Sequence, residues 1–193
     1  MRNPFKAKFG LHENVEYQLR DNEGNVKPLF QLNKLGLWLL KKGLVSPDVT
    51  FPLFGGFTEK MVVSNLITTL GVSGIAARIN GSGSPAAYVY IALGLGTTGA
   101  ADADTELESE ITTSGGARAS SSVSLVTTDT AGDTAQLQNT FNFTDGGTFA
   151  ITESGVLNAA SGGTLLARQV FSAINVASGD SLQVTWKFDV DTV

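Results

Sequence analysis

The chain has no cysteine among its 193 residues and a single histidine, His12. The first absence excludes a disulfide scaffold, a thiolate zinc site and a cysteine nucleophile. The second removes multi-histidine metal sites and leaves only His12 for any Ser-His-Asp triad. Charged residues are scarce, at 16%, and no Lys/Arg cluster is interleaved with aromatics, so nucleic acid is not an expected partner. The longest stretches almost free of charge, 61–77 and 79–103, are interrupted by Asn, Ser, Thr, Gly or Pro, so no membrane span is expected. Met1-Arg-Asn-Pro-Phe-Lys-Ala-Lys8 has no apolar core, which argues against a conventional secretory signal.

Glycine, by contrast, is abundant at 22 residues, and Ser, Thr and Ala crowd the second half. That is the profile of a β-rich protein with tight turns. The net charge of −5 is divided unevenly: residues 1–60 carry nine Lys/Arg against six Asp/Glu, and residues 61–193 carry four against twelve. A mildly basic arm therefore precedes an acidic body.

The clearest periodicity is at the end. In Ser181-Leu-Gln-Val-Thr-Trp-Lys-Phe-Asp-Val190, Leu182, Val184, Trp186, Phe188 and Val190 alternate with polar residues, a strand with one buried face. Further strands are expected at 14–20, 88–93, 117–128, 135–143, 148–157 and 164–173, separated by Gly- and Asp-rich turns. Leu32, Leu35, Trp38 and Leu39, followed by Lys41, Lys42 and Gly43, predict a short helix. A second helix is expected over 66–79, from Leu66, Leu70, Ile75 and Ile79. The reading is mainly β: an antiparallel β-sandwich, jelly-roll or Ig-like, with one or two short helices and an extended N-terminal arm. Residues 1–60 form the arm, with a hairpin and short helix; residues 61–193 form the body, with its leading helix near 66–79.

Several patterns invite a chemical reading. Gly94-Leu-Gly-Thr-Thr-Gly99 matches G-x-G-x-x-G after a strand. The acidic residues Asp102, Asp104, Glu106, Glu108 and Glu110 follow it where a phosphate-binding helix would need to begin, so a glycine-rich turn is expected. The alternating acids lack the central glycine and ligand order of a calcium loop and read as a solvated loop. Glu153 is a solitary carboxylate in a strand-rich region, and Arg168, in an apolar strand, is expected to pair with Glu153 or with an acid of a neighbouring subunit. Neither catalytic nor metal-ligating nor cofactor-binding residues are assigned, and no cofactor is expected.

Tyr90-Ile-Ala-Leu-Gly-Leu-Gly-Thr-Thr98, Leu107 with Glu108, Ile151-Thr-Glu-Ser-Gly-Val-Leu-Asn-Ala159, Gly163-Thr-Leu-Leu-Ala-Arg-Gln-Val-Phe171 and Ser178-Gly-Asp-Ser-Leu-Gln-Val-Thr-Trp186 together resemble a β-sandwich module of tailed-bacteriophage virion structural proteins. Val62-Val-Ser-Asn-Leu-Ile-Thr-Thr-Leu-Gly71 resembles the strand-to-helix passage upstream of it. The resemblance covers residues 61–193. It implies a structural component of a phage particle without saying which part; with no catalytic constellation in the chain, the reading is a non-enzymatic one, foremost a capsid decoration (cement) protein that binds and stabilises the shell. A tail or fibre-base component or a host-surface binding module is the alternative, and a carboxylate-dependent glycan hydrolase is the most remote. The implied partners are further copies of the chain, as a homo-oligomer such as a trimer, and the major capsid protein or other virion proteins. The implied location is the particle surface after assembly in the host cytoplasm. Trp38, Leu39, Phe51, Phe54 and Phe57 are the interface candidates; burying each would contribute about 1.5–3 kcal/mol before ordering costs.

Overall fold

The computed structural model of the chain describes residues 9–83, 86–144, 146 and 148–192. In chain order the elements begin with β1 (Phe9–Arg20), β2 (Val26–Lys27), β3 (Leu29–Leu32), α1 (Lys34–Lys41), β4 (Gly55–Thr58), β5 (Met61–Ser64), β6 (Leu66–Ile67) and α2 (Thr69–Asn80). The second half is all strand: β7 (Tyr90–Gly94), β8 (Ala119–Ser120), β9 (Ser122–Val126), β10 (Thr134–Asn142), β11 (Phe149–Leu157), β12 (Leu165–Val176) and β13 (Ser181–Thr192).

Two antiparallel sheets face one another, so the chain is a β-sandwich. The first runs β2-β1-β13-β10-β9, with β5 also pairing β1; the second runs β6-β12-β11-β7-β8. The period of two in β13 does what it predicts: Leu182, Val184 and Trp186 are wholly buried and Phe188 nearly so. Val190 is the exception, 44% exposed, because the strand runs beyond the cover of the opposite sheet. Tyr17 of β1 crosses the core to Ser154 of β11, hydroxyl to hydroxyl at 2.7 Å, and its ring packs on Phe171. Burial raises the Tyr17 phenol well above its ordinary pKa.

The expected division at residue 60 is redrawn by pairing. β1 lies against β13 along its whole length, from Phe9 opposite Thr192 to Arg20 opposite Ser181. Val15, Tyr17 and Leu19 belong to the main core. β1 is thus a sandwich strand, not part of an arm, and His12 sits in it opposite Asp189 rather than in a loose segment. Of residues 1–12, whose sequence suggests a loose segment or one docked on a neighbour, 9–12 are in β1 and 1–8 lie outside the described residues. What stands apart is a lobe of residues 29–58, in which, among the described residues, β3 pairs only with β4 and α1 follows. Phe30, Leu32 and Leu40 form a second small core with Val170 of β12. Ala173 N–H donates to the carbonyl of Pro47 at 2.7 Å, tying the lobe down.

Both helices differ from their apolar-stripe expectation. Asn33 caps α1 by accepting the N–H of Gly36, so Leu32 falls in β3 instead. The buried residues of α1 are Gly36 and Leu40, while Leu35 and Trp38 point outward. A Cβ at Gly36 would lie 2.3 Å from the carbonyl oxygen of Phe54, so glycine here permits close packing. In α2, capped by Thr68, the buried residue is Gly71, where a Cβ would come within 2.1 Å of the Leu166 carbonyl. Helix backbone therefore lies on strand backbone, Leu70 and Ile79 are left exposed, and Leu66 falls in β6. The strand expected over 117–128 is two strands, β8 in one sheet and β9 in the other, because the chain crosses the sandwich edge at Ser121.

Candidate functional site

The second sheet is covered on its outer face as well. Ile91 and Leu93 of β7 face the main core, while Ala92 faces the opposite way into a cluster with Leu107, Leu157 and Leu165. The loop that supplies Leu107 runs from the end of β7 to β8 and contains both the glycine motif and the acidic run. It is pinned by an ionic knot. Glu153, fully buried on β11, accepts from Arg168 Nε at 2.8 Å and from the backbone N–H groups of Gly96, Glu108 and Ser109 at 3.0, 3.1 and 2.7 Å. Four donors meet the roughly four lone-pair positions of a carboxylate.

Arg168, on the neighbouring strand β12, spends its other nitrogens on the same loop. Nη1 donates to Asp104 at 2.8 Å, and Nη2 donates to the Thr98 carbonyl at 3.1 Å. Burial works against the guanidinium charge, but the bonds to Asp104 and Glu153 outweigh it and raise the Arg168 pKa above its ordinary value. Glu108, 3.6 Å from Nη2, receives the N–H and hydroxyl of Thr98, which hold its carboxyl below the usual range. A second clamp closes the far end. Arg118 grips Glu110 with two bonds of 2.9 and 2.6 Å and reaches the carbonyls of Ala159 and Gly162.

This geometry explains the glycine motif. A Cβ at Gly94 would lie 2.4 Å from Glu153 Oε1, and one at Gly96 would lie 2.5 Å from the same atom. Both glycines let the loop close over the carboxylate; Gly99 has only ordinary neighbours. No helix follows the motif, and its strand pairs antiparallel on both sides. The acidic run is corrected from a solvated loop to a docked one: Asp104, Glu108 and Glu110 are engaged, while Asp102 and Glu106 remain exposed. Arg168 pairs with Glu153 of its own chain, one of the two partners expected for it. Arg118 was not singled out, since a lone Arg between alanines carries no periodic signal. Among the described residues, no group of three or more His, Asp or Glu is placed to hold a metal ion. Glu153 has no lone pair left to polarise a water, so the knot is a latch for the loop and not a reactive carboxylate pair.

The second candidate is the lobe surface. Of the five interface candidates, Trp38, Phe51 and Phe57 are 53%, 57% and 69% exposed. Leu39 is half-buried, and Phe54 packs on the lobe's own core. Leu35, Leu44 and Leu53 of the same lobe, with Val62 just beyond it, are exposed too. Seven large apolar residues are thus exposed on or beside this lobe. The outer face of the first sheet is different in kind: Gln136, Gln138, Gln183 and Thr185 surround Glu16, which is bridged to Lys187 and Lys60 at 2.9 Å each. Among the described residues no helix is long and apolar enough to cross a membrane. No family model matches the chain, nor does any curated protein or solved structure.

Proposed function

We propose that this chain is a non-enzymatic structural component of a bacteriophage particle, a capsid decoration protein that seats on the shell protein through its 29–62 surface. The observation that carries the reading is the concentration of exposed Trp38, Phe51, Leu53 and Phe57 on a small lobe fixed to a rigid sandwich. The resemblance of its motifs to those of phage virion modules supports the particle, and the exposed lobe supports the contact. Aromatic residues anchored on a rigid support lose little conformational entropy on docking, which is what a repeated, permanent contact needs. The ionic knot serves the same end by holding the long 95–118 loop down without any moving part.

The test is to locate the protein in particles of the phage that encodes it and to count copies by electron microscopy. A decoration protein occupies the shell in hundreds of copies and raises the temperature at which emptied shells rupture. Trp38→Ser and Phe57→Ser, both at exposed positions, are expected to fold normally and fail to bind shells. Wild-type binding by the double variant, or a handful of copies confined to the tail, would overturn the reading.

A further inference from the structure

Among the described residues, the β9 edge of the first sheet is unguarded. β9 closes the first sheet and, among the described residues, pairs only with β10, in an unbroken register from Thr134 opposite Val126 to Gln138 opposite Ser122. Edge strands of soluble proteins are normally blunted by a charge, a proline or a bulge. Ser122-Val-Ser-Leu-Val126 has none of these. Its Val123 and Leu125 are 59% and 72% exposed. They line an apolar groove of about 880 Å³, whose other wall is α2, with Ile75 and Ile79, and whose floor includes Phe188 and Val190. Here the inner face of the first sheet extends beyond the second, and among the described residues nothing covers it.

We propose that β9 and this groove form a two-fold interface with a second copy of the chain. Paired antiparallel about Ser124, β9 is complementary to itself: Val123 of one copy lies opposite Leu125 of the other, and Ser122 opposite Val126. The two first sheets become one continuous sheet, its hydrogen-bond ladder completed, and the two grooves merge beneath it. The area is sufficient. Ile79, Val123, Leu125 and Val190 present roughly 480 Å² per copy, so burying them fully in a pair would remove on the order of 1,000 Å², the area a specific interface has to clear. This surface is separate from the 29–62 lobe, so each copy of the pair keeps its lobe for another partner.

The absence of cysteine gives a clean experiment. Strands paired about Ser124 bring its two copies to a Cα separation of about 4.5–5.5 Å, within disulfide reach. Ser124→Cys is expected to form a disulfide-linked dimer on mild oxidation, and Ser161→Cys, in the exposed β11–β12 turn, is not. Wild-type protein is expected to show twice the chain mass by sedimentation equilibrium. Leu125→Lys and Val123→Lys should return it to the chain mass with unchanged circular dichroism and a melting temperature that no longer rises with protein concentration. A wild-type monomer, a trimer, a dimer that survives both lysine variants, or equal cross-linking of the two cysteine variants would overturn the proposal. Shell binding by monomeric Leu125→Lys tests the lobe independently, so either proposal can fail without the other.

Discussion

Replacing Arg168 by Met removes the hub of the ionic knot while keeping most of the apolar stem. The bonds to Glu153, Asp104 and the Thr98 carbonyl are lost together. Glu153 is 0% exposed and keeps only its three backbone donors, so a buried charge remains without its counter-ion. Breaking a buried pair from one side costs about 3–5 kcal/mol. For a domain of this size each kcal/mol moves the melting temperature by ~2–4 °C, so a fall of roughly 6–20 °C is expected. The double variant Arg168→Met with Glu153→Gln no longer buries an unpaired charge and should recover part of that loss, a coupling of at least about 1 kcal/mol in a double-mutant cycle. Urea melts of the four proteins measure it directly. A single variant that loses less than about 1 kcal/mol, or two losses that simply add, would show that the latch does not depend on the pair.

Three further outcomes follow from the same structure. Gly96→Ala is expected to destabilise by about 1–3 kcal/mol, since its Cβ would meet Glu153 Oε1 and Glu108 Cβ, whereas Gly56→Ala, with open space around it, should lie within about 1 kcal/mol of wild type in the same melts. Tyr17→Phe strands the buried Ser154 hydroxyl and should cost about 1–3 kcal/mol by chemical denaturation, with no change in the sheet signal of circular dichroism. Glu16 is partly desolvated, which opposes its charge, yet Lys187 and Lys60 prevail and lower its pKa below the ordinary 4.5. A depressed carboxylate stabilises fully above its unfolded pKa and loses that contribution as pH falls through its folded one. The melting-temperature gap between wild type and Glu16→Gln should therefore be present at neutral pH and close in acid; a pH-independent gap would refute the pairing.

Much of the sandwich is legible from alternation alone, because a strand with one buried face must repeat every two residues. β13, β10 and β11 announce themselves through Trp186, Phe141 and Ile151. Alternation does not reveal how far the opposite sheet reaches. Val123, Leu125 and Val190 carry the right pattern and lie where the cover stops. The helices misled for a related reason: their contact faces are built on Gly36 and Gly71, so a search for large apolar residues selects the wrong side. The lobe candidates Trp38, Phe51 and Phe57 were readable as aromatics in a segment of irregular structure, but Phe54 was not separable from them without the fold. The knot was half visible, in Arg168 and Glu153. Its other half consists of backbone N–H groups, which every sequence has and no sequence marks.

The pairing of β1 with β13 also bears on how the molecule comes into being. Its closest partners in sequence, Arg20 and Ser181, are 161 positions apart. Ribosomal synthesis therefore releases Val15, Tyr17 and Leu19 long before the strand that will cover them exists. Loop closure over that span must precede the reward of burial, which makes folding slow and leaves an apolar strand waiting in the cell. Because Phe9 and Thr192 end up side by side, residues 9–192 are in effect a ring with one open link. Joining that link and opening the exposed turn at Gly132 would turn the most distant pairing into a hairpin, leaving the final architecture alone while shortening the route to it.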